Sequence, residues 1–128
     1  MGWLYHKDEW AKAHPAFDGL PCGGMMDYPV YREIIPDLVF AGLEPPLVAI
    51  AGANNASFDY SSGLMLSEHR HGEGRFLLNT LLIRRNLATH PVAERLLRNL
   101  LNHAARDLEN PAADVPDNFE NRLEELGY

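Results

Sequence analysis

The chain has 128 residues, 46% of them apolar, a single cysteine and a net charge of −7. That size and apolar content fit one globular domain and exclude a disordered chain, the lone Cys22 excludes an internal disulfide, and no apolar run approaches the ~20 residues of a membrane span. Seven arginines face three glutamates between residues 63 and 106, but the strongly acidic remainder repels phosphates and speaks against nucleic acid.

In chain order, residues 1–13 read as a short helix behind the aromatic lead Trp3 and Tyr5. His14-Pro15 ends it, because the residue before proline disfavours the helical region. The first residues lack the basic end and apolar centre of a signal peptide, which together with cysteine usage fits the cytoplasm. Residues 18–24 are rich in turn formers, and residues 26–35 are polar and aromatic without a clear period. Residues 37–41 predict a short strand and residues 47–51 a second, more apolar one. A hairpin over 63–83 forms the centre, with strands 63–71 and 75–83 and Gly72-Glu73-Gly74 between them. Gly72 suits the positive φ of a two-residue turn. The second strand is apolar on both faces, with Phe76, Leu78 and Leu82 on one and Leu77, Leu81 and Ile83 on the other. Such strands are usually covered on both sides.

Thr89-His90-Pro91 then opens a dominant helix over 91–108, with His90 as a cap residue and Pro91 in the first turn. Its apolar stripe runs through Val92, Ala93, Leu96, Leu97, Leu100, Leu101, Ala104, Ala105 and Leu108, while Arg95, Arg98, Asn102 and Arg106 face away and His103 stands at the rim. Residues 110–116 read as a linker, and Asp117 caps a short terminal helix over 118–126. The organisation is therefore one domain over 1–109 with a tail over 110–128. The fold class is α+β, or a partial α/β sandwich, with about four strands.

Several residues invite a chemical reading. Cys22 precedes two glycines, but Asp18-Gly-Leu-Pro21 cannot be the central strand that a nucleophile elbow requires. We read it as an ordinary loop thiol. His71-Gly72-Glu73 matches the spacing of a base and its orienting carboxylate, yet no convincing nucleophile precedes it. His69 and His71 alternate along a strand and point the same way, a two-histidine chelate. Glu68 falls on the opposite face and the third ligand is missing, so neither a metal nor a cofactor is expected. Trp3, Tyr5, Trp10, Tyr28 and Tyr31 are candidates for stacking on a sugar or a partner, or for packing against the core edge. The twofold apolar strand, followed by only one strongly amphipathic helix, leads us to expect a homodimer or a partner domain.

Two segments resemble a known family. His14-Pro-Ala-Phe-Asp-Gly-Leu20 is similar to a phrase of class I glutamine amidotransferase-like domains, including the trehalose-utilisation type. Gly72–Ile83 followed by Pro91–Leu101 looks like the closing strand and helix of such domains. The variant most similar forms the C-terminal part of bacterial proteins related to glycoside hydrolase family 2. The Gly-x-Cys-x-Gly elbow of an active amidotransferase is absent, and the chain is too short for a catalytic barrel. The resemblance therefore implies an accessory, assembly or ligand-binding domain with carbohydrate as a partner class. The alternatives are a small hydrolase using Cys22 with His71 and Glu73, or a sugar-binding module.

Overall fold

The computed structural model describes residues 7–55, 60–72, 74–107, 121 and 124. Two long antiparallel strands, β3 (Val48–Asn55) and β4 (Ser61–His71), form the middle of a five-stranded sheet. β1 (Lys7–Ala11) and β2 (Gly24–Met25) extend it on the β3 side and β5 (Gly74–Asn79) on the β4 side, giving the order β2-β1-β3-β4-β5. All pairings are antiparallel, so of the two expected architectures the fold is α+β. It has five strands where about four were expected.

The pairing of β3 with β4 is interrupted where Ala49 meets Ser67, Ala51 meets Leu66 and Gly52 meets Leu64. Ile50 and Met65 are left out of register, and both are fully buried. A bulge of this kind aims an extra side chain at the core. The carbonyl of Met65 is not orphaned: the Thr80 amide donates to it at 2.9 Å and the Thr80 hydroxyl at 3.3 Å.

Three helices follow the same burial logic: α1 (Tyr28–Tyr31), α2 (Ile83–Asn86) and α3 (Pro91–Asp107). Ala93 and Leu96 of α3 join Phe17, Tyr31, Ile34, Ile50, Met65 and Leu66 in one core cluster. Asn99 is also buried, and its amide donates to the carbonyls of Ala16 and Asp18 at 3.1 and 3.0 Å. That pair of bonds docks α3 on the 3-10 turn Pro15–Phe17. At the start of α3, His90 Nδ1 accepts from the Val92 amide at 3.3 Å, the capping role expected of it.

Three expectations are corrected. Residues 7–11 form strand β1, not a helix, because β1 is paired on both sides, to β2 and to β3; tertiary pairing overrides local propensity. Of the strand expected at 37–41, only an isolated bridge between Phe40 and Leu64 forms. The second hairpin strand ends at Asn79, not Ile83: Asn79 Oδ1 accepts from the Leu81 amide at 3.0 Å and turns the chain, so Leu81 and Ile83 enter the core. Residues 28–31, unassigned from sequence, form α1. The dominant helix spans Pro91–Asp107. Of the short terminal helix only Asn121 and Glu124 are described, both helical; the rest lies outside the described residues.

Two glycines are fixed by close approach. A Cβ at Gly52 would stand 2.5 Å from Trp10 Cζ2 and 2.7 Å from the Gly63 carbonyl oxygen. A Cβ at Gly63 would overlap the Val39 side chain. At Gly24 nothing lies within 4 Å. Gly52→Ala is therefore expected to lower stability by about 1–3 kcal/mol, the usual range for overpacking. Gly24→Ala is expected to stay within about 0.5 kcal/mol of the parent chain. Urea melts of both variants check this, and equal midpoints would show that Trp10 and the Gly63 carbonyl both give way to the added Cβ.

Candidate functional site

The chemistry gathers around one buried carboxylate. Glu68 on β4 has a side chain only 4% exposed. Unpaired, a charge in that position would be severely destabilising. Arg75 of β5 donates from Nη1 to Oε1 at 3.0 Å, and His103 of α3 donates from Nε2 to Oε2 at 3.1 Å. The sheet supplies the first partner because Glu68 pairs with Leu77, two residues from Arg75 on the neighbouring strand. The helix supplies the second from its half-buried side.

His14 completes the group. Its ring meets the His103 ring edge-on, with centroids 4.7 Å apart. Its Nδ1 accepts from the Ala16 amide at 3.1 Å, capping the 3-10 turn, a bond worth about 1 kcal/mol. Donor atoms of His14, Glu68 and His103 all lie within 4.8 Å of one another. Such a group can share or exchange a proton, and its nitrogen and oxygen donors are of the type that hold a cation.

The same surroundings tune protonation. Burial pushes the Glu68 carboxyl upward, but the hydrogen bonds and charges of His103 and Arg75 outweigh it, leaving the group below the ordinary carboxylate range. Burial, aided by repulsion from His103, holds His14 below the ordinary imidazole value, with Glu68 and Asp18 opposing.

The residues singled out from sequence lie elsewhere. Cys22 is exposed, and the amide of the next residue, Gly23, donates to the Ala11 carbonyl on β1. His71 ends β4, with β3 and β1 between it and that loop. Three strand spacings, about 14 Å, exceed any hydrogen bond, so the Cys22–His71 pair is not assembled. His69 stacks on Phe76 at 5.4 Å and His71 meets the same ring edge-on at 6.1 Å. The two histidines thus flank one aromatic ring, and His69 Nε2 is engaged with the Ser67 hydroxyl at 2.9 Å. Glu73, Trp3 and Tyr5 lie outside the described residues. Tyr28 is exposed. Tyr31 is a core residue: it is fully buried, its hydroxyl donates to the Pro21 carbonyl, and burial, followed by Cys22 and Asp27, pushes its pKa up to about 12.

A groove lies at the other end of β4. It encloses about 310 Å³ and is lined by Trp10, Leu43, Glu44, Asn54, Ser62 and Leu64 among others. Trp10 lies against Gly52, and Lys12 Nζ stands 5.7 Å from its ring centre.

Both protonation shifts point the same way for stability. A group whose pKa is depressed by folding stabilises the fold above its unfolded value, and that contribution is lost as pH falls. The ordinary values are 6.5 for histidine and 4.5 for the carboxyl. Stability of the metal-free chain should therefore begin to fall below about pH 6.5 through His14, and fall further below about 4.5 through Glu68. His14→Asn keeps a capping side chain but removes the imidazole, so its decline should start only in the carboxylate range. Urea midpoints from pH 8 to 4 decide the matter, and identical profiles for parent and variant would remove His14 from the account.

Compared with protein-family models, with curated proteins and with solved structures, the chain matches none.

Proposed function

We propose that this chain is a small binding domain whose groove at Trp10 takes carbohydrate. The observation that carries the reading is the indole seated on the side-chain-free Gly52 beside Asn54, Ser62 and Glu44. An aromatic face takes the apolar C–H face of a pyranose. An amide, a hydroxyl and a carboxylate supply the donors and acceptors that its hydroxyls need. The resemblance of His14–Leu20, and of Gly72–Ile83 followed by Pro91–Leu101, to class I glutamine amidotransferase-like domains found in accessory regions of glycoside hydrolase family 2-related proteins supports the same ligand class. The role proposed is binding rather than bond cleavage, since the Cys22–His71 pair needed for the hydrolase alternative is held apart by the strand order.

A glycan array with the purified chain, followed by calorimetric titration of the strongest hit, tests this. Trp10→Ala is expected to weaken binding at least about tenfold, or 1.4 kcal/mol. Ser62→Ala, at an exposed position, should weaken it by a smaller factor without disturbing the fold. Binding that survives both changes would place the sugar elsewhere, and a blank array would remove the carbohydrate reading.

The reading includes self-association through the β5 edge, where Phe76 is 41% exposed. An open edge with apolar side chains favours pairing with another strand. Light scattering across a dilution series should give a mass near twice 14.4 kDa. A constant monomer mass, or a dimer unaffected by Phe76→Lys, would show that β5 is not the interface.

A further inference from the structure

We propose that His14, Glu68 and His103 form a binding site for a divalent transition-metal ion of the zinc class. The inference goes beyond the groove at Trp10 and does not depend on its ligand.

Two imidazoles and one carboxylate are a ligand set that zinc accepts, with the ion about 2.1 Å from each donor and the donors about 3.4 Å apart. The Glu68 and His103 donors already stand 3.1 Å apart, and the donor atoms of all three residues lie within 4.8 Å of one another. The closing movement is thus on the order of an ångström and falls on His14, the half-buried residue at the entrance to the 3-10 turn. The three ligands come from that turn, from β4 and from α3, so an ion would join three separate elements.

The surroundings favour the carboxylate as a one-oxygen ligand. Arg75 holds Oε1, while Oε2 is the atom turned to His103. A carboxylate ligand whose second oxygen is hydrogen-bonded has the outer support usual at metal centres. Arg75 is half exposed, so its positive charge is solvated and opposes the ion only weakly. Both histidines oppose the ion. His103 now donates from Nε2 to Oε2, so that proton must leave Nε2, and the hydrogen bond with it, before the nitrogen can coordinate. A neutral His14 ring bound through Nε2 carries its proton on Nδ1, and that nitrogen now accepts from the Ala16 amide. The cap bond must therefore be given up when the ion binds, a small loss beside metal coordination. His69 and His71 are the competing pair, but they offer two donors only, one of them already engaged by Ser67.

The test uses the untagged full chain at pH 7.5, with Zn²⁺ in calorimetry and Co²⁺ in visible absorption. One Zn²⁺ per chain with micromolar or tighter affinity is expected, and Co²⁺ should give visible bands of a nitrogen- and oxygen-ligated site. His103→Ala, at a side chain 19% exposed, should weaken Zn²⁺ about 100-fold or more. Glu68→Gln should weaken it at least about tenfold, with circular dichroism confirming that each variant is folded. The double variant His69→Ala/His71→Ala should bind like the parent. Absence of stoichiometric Zn²⁺ uptake by the parent chain overturns the proposal. So does uptake kept in full by His103→Ala or lost in the double variant.

Discussion

The burial of the Glu68 carboxylate constrains the rest of this structure. A charged group taken out of water must find partners of good geometry, or the fold is lost. Here the partners come from two directions, Arg75 from the neighbouring strand and His103 from the helix packed above. Each satisfies a different oxygen. The register of the β4–β5 hairpin, which sets Arg75 two residues from the partner of Glu68, is therefore coupled to the seating of α3. Asn99, one turn before His103 on the same helix, bonds two carbonyls of the segment that carries His14. Polar bonds thus fix the angle at which an otherwise non-directional apolar stripe meets the sheet.

A second constraint acts at the other end of β4. Gly52 and Gly63 are paired to neighbours across β3 and β4, and each lies beneath a side chain, Trp10 and Val39 respectively. Removing two Cβ atoms lets an indole and the 38–41 segment approach the sheet closely. The weak residue pattern of that segment follows from its role. It contributes one bridge to Leu64, beyond the end of β5, and leaves Leu38 and Val39 exposed. The groove exists because this covering is partial.

Most of the fold was legible in the sequence where period and punctuation agreed. The hairpin turn at Gly72, with φ of +58°, and the helix opened by Pro91 were both signalled by residues with one preferred geometry. The failures have physical causes. Residues 7–11 carry no strand period of their own and become a strand because β3 offers them an edge. The two His-Pro pairs were read differently, one as a helix stop and one as a helix start, yet both histidines cap a following turn through Nδ1. The site was less legible still. Strand alternation turns Glu68 away from His69 and His71, and that opposite face is where the helix brings His103. His14 and His103 are 89 positions apart, and only the docking of α3 on the 3-10 turn joins them. Glu68 stands in the polar run Ser67-Glu-His-Arg-His71, which reads as a solvated strand end, so nothing local signals that its charge is buried and requires a partner.

The two ends of β4 can be treated as separate devices on one strand. Leu64 lines the groove and Glu68 anchors the cluster, four residues or about 13 Å apart along the strand. Substitutions at that separation with no shared partner usually add. A change in Trp10 should therefore leave the His14–Glu68–His103 group intact, and loss of His103 should leave the groove's lining in place. The bulge at Ile50 and Met65 lies between them, with Thr80 bonded to the Met65 carbonyl. Bulges disrupt the ladder locally and bend the strand, so the segment that holds Glu68 and the segment that lines the groove are set at an angle to one another. The cluster is buried where His103 of α3 covers the strand, and the groove stays open where the 38–41 segment covers it only in part.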